Sequence, residues 1–499
     1  MTPETRMPNP TEDQLHLLLR GHTPRWLAYR LFCIVSGALL LTAEAHAGAA
    51  EGRILSGPNE VVSLVKQLKS RDPVKRRKAA EDLRIVGREA EDAVPALLKA
   101  LDDGNIYVRI AAARALGYTR AKPEVVVPGL CRLARNKDPR LRDAGLRALL
   151  VLGPLAKDAV PFLVGMLKDR DTAHDGLAIA VLGRIGPPAK DAVTEITKRL
   201  NGDKGVCLTA VKALANMGSY GAPAVPTIKR LLRDEKERVR KDALEALARI
   251  GFSGRSLVPD LKKMLFKTKR SEQVLVANAL LVLEGESVAV MAVFSSALKA
   301  KDIIGRPVPP EERRRAIEAV EARSLAARLL SEKRRPPKAL LDDIIGALET
   351  KNSTLENHLV RTLGKMGSAG AEAVPALMKK VKDKQFPNRE AMEALGKIGP
   401  AARAAVPALL AQMEKKGCVE PVAVVAYWRI TGDRDKSIPL LLKVAVNPKN
   451  YKQARLVAIE GLGLMGSGAM SAVPELKKLL KGESPTIRRA AREALRKIQ

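Results

Sequence analysis

The fold of this chain is decided by a repeated stretch whose clearest copy, residues 234–251, reads DEKERVRKDALEALARIG. Its apolar residues recur every three or four positions, the spacing that places side chains on one face of an α-helix. They are Val239, Ala243, Ala246, Leu247 and Ile250. Gly251 closes the stretch, because glycine takes the left-handed conformation that ends helices. Val258-Pro259 then opens a second helix, since proline is tolerated in a first turn.

The same pattern returns along most of the chain, and a closing glycine recurs about every 33 residues. A period of this length is typical of helical solenoids. The glycines are Gly87, Gly153, Gly186, Gly218, Gly251, Gly367, Gly399, Gly432 and Gly466. Arg120 and Glu284 occupy the register where glycine is missing. One helix pair cannot cover its own apolar face, so neighbouring pairs must stack.

Two further columns share this period. The first holds short polar residues that we expect to cap helix N-termini by accepting backbone N–H bonds: Asp72, Asn105, Asp138, Asp171 and Asp203. The second lies four residues later: Arg76, Arg109, Arg142, Asp175, Cys207, Arg240, Arg455 and Arg488. This second column is either a basic binding stripe or a ladder of hydrogen bonds between units to the first column, and we favour the ladder.

The unit Asp234-x4-Val239-Arg240-x2-Ala243-x2-Ala246-Leu247-x2-Ile250-Gly251 resembles the HEAT repeat, in the short form also seen in phycobilisome-lyase-like proteins. The resemblance covers residues 58–300 and 337–499. It implies an all-α fold, a right-handed α-solenoid superhelix of about a dozen helix pairs, with the Asp-to-Gly helix on the concave side. Helix layers spaced roughly 8–10 Å apart would make such an array on the order of 100 Å long.

Residues 301–336 interrupt the repeats with an irregular, basic insertion bounded by prolines. It is either an aberrant repeat or a hinge that also serves as a contact arm, and we favour the aberrant repeat.

The N-terminus has the pattern of an export signal. Arg25 and Arg30 precede an apolar run, residues 31–43, which ends at the small-x-small sequence Ala45-His46-Ala47. The run is too short for a lasting membrane anchor. We therefore predict a signal peptide with a leader over residues 1–47, a short linker over 48–57, and a periplasmic or secreted protein without a transmembrane segment. A buried helix in a cytosolic protein is the alternative.

Basic residues outnumber acidic ones: 87 Lys and Arg against 55 Asp and Glu give a net charge of +32. Such a field attracts polyanions and acidic proteins. A basic surface that serves solubility alone is the competing interpretation. Aromatic residues make up only 3% of the chain, which disfavours base stacking on single-stranded nucleic acid.

Catalytic patterns are missing from the sequence. Beyond the predicted signal there are two histidines, His174 and His358, and three cysteines without C-x-x-C spacing, Cys131, Cys207 and Cys418. We expect His174 to lie toward the core and each cysteine to lie on a helix. Gly461-x-Gly463-x-x-Gly466 matches a dinucleotide-binding motif, but no strand precedes it. We therefore expect no enzyme activity, no cofactor and no metal.

Binding remains as the function. The helical projection points one set of basic residues toward the concave groove: Arg77, Arg114, Arg147, Lys212 and Lys241. Acidic residues share these positions, so we expect a mixed groove in which Arg114 and Arg147 form a basic patch. The sequence predicts an exported, non-enzymatic scaffold in a bacterial envelope that binds protein partners through its concave face. The alternative is a solenoid that binds nucleic acid or another polyanion, with nucleic acid disfavoured if the chain is exported.

Overall fold

The structure is a computed structural model that describes residues 58–169, 174–268, 270–301, 309–382, 388–415, 418–481 and 484–499. The described residues belong to one compact unit. The predicted signal peptide, its cleavage site and the linker lie outside the described residues. So does Asp171, one of the predicted helix caps.

Helices in two layers make up the described chain, arranged as thirteen consecutive pairs that we number units 1–13. Each unit has an outer helix followed by an inner helix. The outer helices are Pro58–Gln67, Val94–Ala100, Pro123–Ala134, Val160–Lys168, Val193–Lys198, Val225–Leu231, Val258–Lys267, Val288–Leu298, Leu341–Ala347, Val374–Val381, Val406–Met413, Arg434–Val446 and Val473–Lys478. The inner helices are Pro73–Val86, Ile106–Thr119, Pro139–Leu152, Asp175–Ile185, Lys204–Asn216, Glu237–Ile250, Arg270–Leu283, Pro310–Glu332, Ser353–Lys365, Arg389–Ile398, Pro421–Thr431, Lys452–Leu464 and Pro485–Ile498.

Local sequence sets where the inner helices begin and end. Asp72 accepts a hydrogen bond from the Val74 amide at 2.8 Å, and Asp138 accepts one from the Arg140 amide at 2.9 Å, as N-caps do. Asn105 and Asp203 cap in the same way. Every glycine of the closing column has a positive φ. Short 3₁₀ turns such as Gly251–Leu257 then lead into the next outer helix.

Small residues let consecutive inner helices approach closely. A Cβ atom placed on Gly183 would lie 2.6 Å from the Cα of Ala213 in the next inner helix. Gly463 and Ala494 repeat this arrangement at 2.9 Å. Consecutive outer helices touch far less. In a curved double layer the more closely spaced helices lie on the inside of the curve, so the Asp-to-Gly helices line the concave side.

The irregular region contributes a regular inner helix. Pro310–Glu332 packs between the inner helices of units 7 and 9 and buries Ala326, Leu329 and Leu330. The buried side chain of Arg323 donates to the carbonyl of Ala347 in the following outer helix at 3.0 Å. The first turns of this helix remain exposed. This helix thus takes the place of a repeat helix with an overhanging N-terminal half.

The array curves back on itself, so that units 12 and 13 contact the turn Gly87–Ala93, which follows unit 1. Arg489 lies 3.2 Å from Glu91, and Arg488 lies 3.5 Å from Asp92. The estimate of an array about 100 Å long is therefore wrong. That estimate added layer spacings along a straight axis, whereas a small rotation at each unit accumulates into a closed path.

One predicted cysteine position is wrong. Cys418 does not lie on a helix: Cys418–Val419 pairs antiparallel with Glu414–Lys415 in a small two-stranded ladder.

Within the described residues, Pro139–Lys168 is long and apolar enough to cross a membrane. It consists of two helices separated by the turn at Gly153, and these pack into units 3 and 4.

Candidate partner-binding surface

The groove-facing basic residues lie on inner helices, but four of the five are neutralised by carboxylates. Arg147 pairs with Asp143 at 2.6 Å, Lys212 with Asp242 at 2.9 Å and Lys241 with Glu237 at 2.6 Å. Arg77 lies 3.6 Å from Glu81. Their positive charges are therefore largely compensated where they stand.

Arg114 is the exception among the predicted residues. It is exposed and makes no ion pair within the described part of the chain. Arg147 is one unit away but bound to Asp143, so Arg114 and Arg147 do not form a patch of two free cations. The Lys241 ammonium also lowers the pKa of the Glu237 carboxyl by donating a hydrogen bond to it. The inner face of the first six units is thus a mixture of paired charges.

Two members of the second arginine column, Arg76 and Arg240, join neighbouring units, but they bind carboxylates other than the predicted capping residues. Arg76 binds both carboxylate oxygens of Asp103 in the next unit, at 2.7 and 2.8 Å, and Arg240 binds Glu272 at 2.6 and 2.9 Å. The capping Asp side chains already accept hydrogen bonds from backbone amides at helix N-termini. Each guanidinium therefore binds a different carboxylate nearby. The Arg76 hydrogen bond holds the pKa of Asp103 below its usual value.

The histidines and cysteines do not assemble into a reactive centre in the described residues. His174 is half-buried at the rim rather than in the core, with its Nδ1 atom 3.3 Å from Arg142. His358 lies on a different inner helix, where burial and then the charges of Arg361 and Arg328 lower its pKa. No cluster of three or more metal-ligating side chains occurs among the described residues. Burial raises the pKa of the Cys131 thiol to about 11, which keeps it protonated and unreactive.

An apolar cleft of about 180 Å³ crosses the inner helices of units 10, 11 and 12. All of its lining residues belong to these three helices. Val422, Val425, Val457 and Leu464 provide an apolar surface, and the Leu464 side chain is 48% exposed. Charged groups surround it: Glu393, Glu460 and Arg429. Glu393 is paired with Lys397 at 2.6 Å. This cleft differs from the charge-paired surface of the first six units.

Comparison with known protein families gives the repeats their name. The family model described as HEAT repeats matches residues 61–150 and 193–281. The chain contains HEAT repeats. These two stretches hold units 1–3 and most of units 5–7, and the same helix pairing continues through unit 13. No curated protein matches the whole sequence at a significant level.

Several solved structures resemble this HEAT array. An engineered protein is 27% identical over 38% of this chain and 96% of its own length, with a TM-score of 0.33. The complex of CpcE and CpcF of phycocyanin lyase from Nostoc sp. PCC7120 is 24% identical over 49% of this chain and 94% of that one, with a TM-score of 0.32. The karyopherin Kap121p is 14% identical over 89% of this chain, with a TM-score of 0.40. This chain spans 58% of Kap121p. Likenesses at these TM-scores say nothing about partners or activity.

A search for charge at the groove positions of the HEAT register does not reveal the cleft, because several of its lining positions are apolar. Val422 occupies the register position of Lys241, ten residues before the closing glycine. Leu464 stands two residues before Gly466, where Arg249 and Lys397 stand before theirs. An apolar residue at a position that the register assigns to solvent was the available signal.

Proposed function

We propose that this protein is an exported, non-enzymatic scaffold that binds a protein partner in the cleft formed by units 10–12. The cleft is the observation that carries this proposal. An apolar centre rimmed by charges of both signs has the anatomy of a protein–protein contact. An apolar side chain from a partner would fill it, while polar groups beside that side chain would meet Glu460 and Arg429.

Charge on the inner face supports a protein rather than a nucleic acid as the partner. Glu460 stands at the cleft, where its carboxylate would repel phosphates. Four of the five groove-facing basic residues in the first six units are paired with carboxylates. A protein surface can complement such a mixture of charges, whereas a phosphate backbone offers only one sign.

Cross-linking in the native cells, followed by purification of the partner, provides the first test. We expect Leu464→Glu to weaken that partner's binding at least tenfold, since it places a charge in the contact's apolar centre, at about 1.4 kcal/mol for each factor of ten. Val288→Glu is the matched control, because Val288 is 89% exposed on an outer helix. Equal affinities for the two variants would refute the cleft as the binding site.

Export is tested separately by fractionation and intact mass. We expect the native chain to start at Gly48 and to be found in the periplasm. A cytoplasmic chain starting at Met1 or Met7 would refute export and make the second candidate, a polyanion-binding protein, the leading one.

The net charge of +32 is the observation that favours this second candidate. It predicts affinity for duplex DNA or polyphosphate that falls linearly on a log–log plot against salt, as phosphate contacts release counterions. Binding in the cleft predicts a weak salt dependence instead.

A further inference from the structure

Three arginines from different units lie at the C-terminal ends of the inner helices. Arg88 follows Gly87 in the turn after unit 1, Arg120 ends the inner helix of unit 2, and Arg184 lies in the last turn of the inner helix of unit 4. The Cβ position of Gly87 lies 3.8 Å from the carbonyl oxygen of Tyr118, so the first turn rests against the end of the unit 2 helix.

The side chain of Arg184 lies against the turn of unit 3, at Gly153. Its Cγ and Nε atoms lie 3.5 and 3.8 Å from the Cβ position of Gly153, where a larger residue would block it. Burial lowers the pKa of Arg120, and the charges of Arg88 and Arg184 lower it further. Arg88 and Arg184 are thus the two cations whose charges act on Arg120.

Arg88, Arg120 and Arg184 have no anionic partner among the described residues. The Nε–H of Arg120 is buried and has no acceptor. Arg76 and Arg240, by contrast, each bind a carboxylate through two nitrogen atoms. A half-buried cation beside two like charges is unfavourable unless something supplies acceptors.

Arg120 is also unusual in its backbone conformation. It has a φ of 50°, at the position where the neighbouring units carry Gly87, Gly153 and Gly186. Glycine adopts this conformation without strain, whereas a residue with a Cβ atom does not. Arg120 therefore places a cationic side chain at a position where the neighbouring units have none.

We propose that Arg88, Arg120 and Arg184 bind a phosphate-class oxyanion at the ends of the inner helices of units 1–4. A tetrahedral dianion presents several acceptor oxygens to donors arriving from three directions, and the planar guanidinium fork matches phosphate oxygens. The site is separate from the cleft and does not depend on the proposed partner.

Calorimetric titration of the full chain with inorganic phosphate, at constant ionic strength set by chloride, tests the site. We expect saturable binding and an unfolding midpoint that rises with phosphate. Arg120→Gly should weaken phosphate binding at least tenfold. This variant tests binding rather than folding, because glycine suits the positive φ and the substitution removes a poorly solvated charge.

Arg132→Ala is the matched control, because Arg132 is an exposed cation that pairs with Asp102. We expect it to change phosphate affinity less than twofold. Equal losses for the two variants, or no saturable binding by the wild type, would overturn the site, since either leaves only attraction to the net charge. A parallel titration with O-phosphoserine separates the two sources: binding of both ligands indicates a phosphate monoester, and binding of phosphate alone indicates the free anion.

Discussion

At the scale of single residues, the stabilising charges join one unit to the next. The Arg76–Asp103 pair has side chains only 18% and 11% exposed. Asp103 also accepts a hydrogen bond from the Asn105 amide at 2.9 Å, so one carboxylate links the preceding inner helix to the start of the following one. Such a paired carboxylate fixes the register between adjacent units.

This pair predicts a pH dependence. The pKa of Asp103 is lowered in the folded state, so its contribution is present above the unfolded value of about 3.9 and is lost as pH falls through the folded pKa. We expect Asp103→Asn to lower the urea midpoint at pH 7, and the difference from wild type to shrink below about pH 4. Equilibrium urea unfolding between pH 7 and the acid range measures it.

Asp102 provides the matched control for this experiment. It is 68% exposed and pairs with Arg132, itself 64% exposed. We expect Asp102→Asn to change the free energy of unfolding by less than about 0.5 kcal/mol at every pH, because exposed pairs contribute little. If Asp102→Asn lowered the free energy of unfolding as much as Asp103→Asn does, the structural role of the Arg76–Asp103 pair would be contradicted.

At the scale of secondary structure, the closeness of the inner helices depends on residues without side chains. Alanine normally stabilises a helix interior relative to glycine by about 1 kcal/mol. At Gly183 we expect the opposite, since a Cβ atom there would lie 2.6 Å from the Cα of Ala213. Gly183→Ala should lower the free energy of unfolding by about 1–3 kcal/mol, as overpacking does, measured by urea denaturation.

Gly176 tests this explanation within the same helix. No atom lies within 4 Å of its Cβ position. Gly176→Ala should therefore leave stability unchanged or raise it by up to about 1 kcal/mol. If both alanine variants stabilise the protein, the inner helices are not held at the close spacing described.

At the scale of the whole array, its two ends are joined by charges of opposite sign. Glu89, Glu91 and Asp92 come from the turn after unit 1, and the last two units supply basic residues. Lys452 lies 3.3 Å from Glu89, which also accepts a hydrogen bond from Thr486. These contacts hold together surfaces nearly 400 residues apart in sequence.

Neutralising this contact should open the array without unfolding it. We expect the triple variant Glu89→Gln, Glu91→Gln, Asp92→Asn to have a larger radius of gyration by small-angle X-ray scattering and an unchanged far-ultraviolet circular dichroism spectrum. Salt near 1 M should shift the wild type in the same direction, because it screens partly exposed pairs.

A second triple variant with the same change in charge serves as the control: Glu124→Gln, Glu235→Gln and Glu372→Gln, all exposed and outside the contact. We expect its radius of gyration to equal that of the wild type. If both triple variants expand alike, net charge rather than this contact sets the dimensions of the array.

Features that act within one unit could be predicted from the residues alone. The caps at Asp72 and Asp138, the positive φ of Gly251 and the two-helix unit all follow from short-range backbone chemistry that the period repeats. For the same reason the HEAT resemblance was visible from residues alone. The candidate residues were also placed correctly on inner helices, because helical periodicity fixes which face a side chain occupies.

The folded array was needed to show which charges are unpaired, where an apolar cleft opens, and that the two ends of the array are in contact. Whether Arg147 is neutralised, or Arg120 left without a carboxylate, depends on side chains whose reach and direction no periodic pattern specifies. Closure depends on a small rotation between units that is summed over the whole array. A repeat specifies contacts between neighbours, and long-range geometry emerges only from their accumulation.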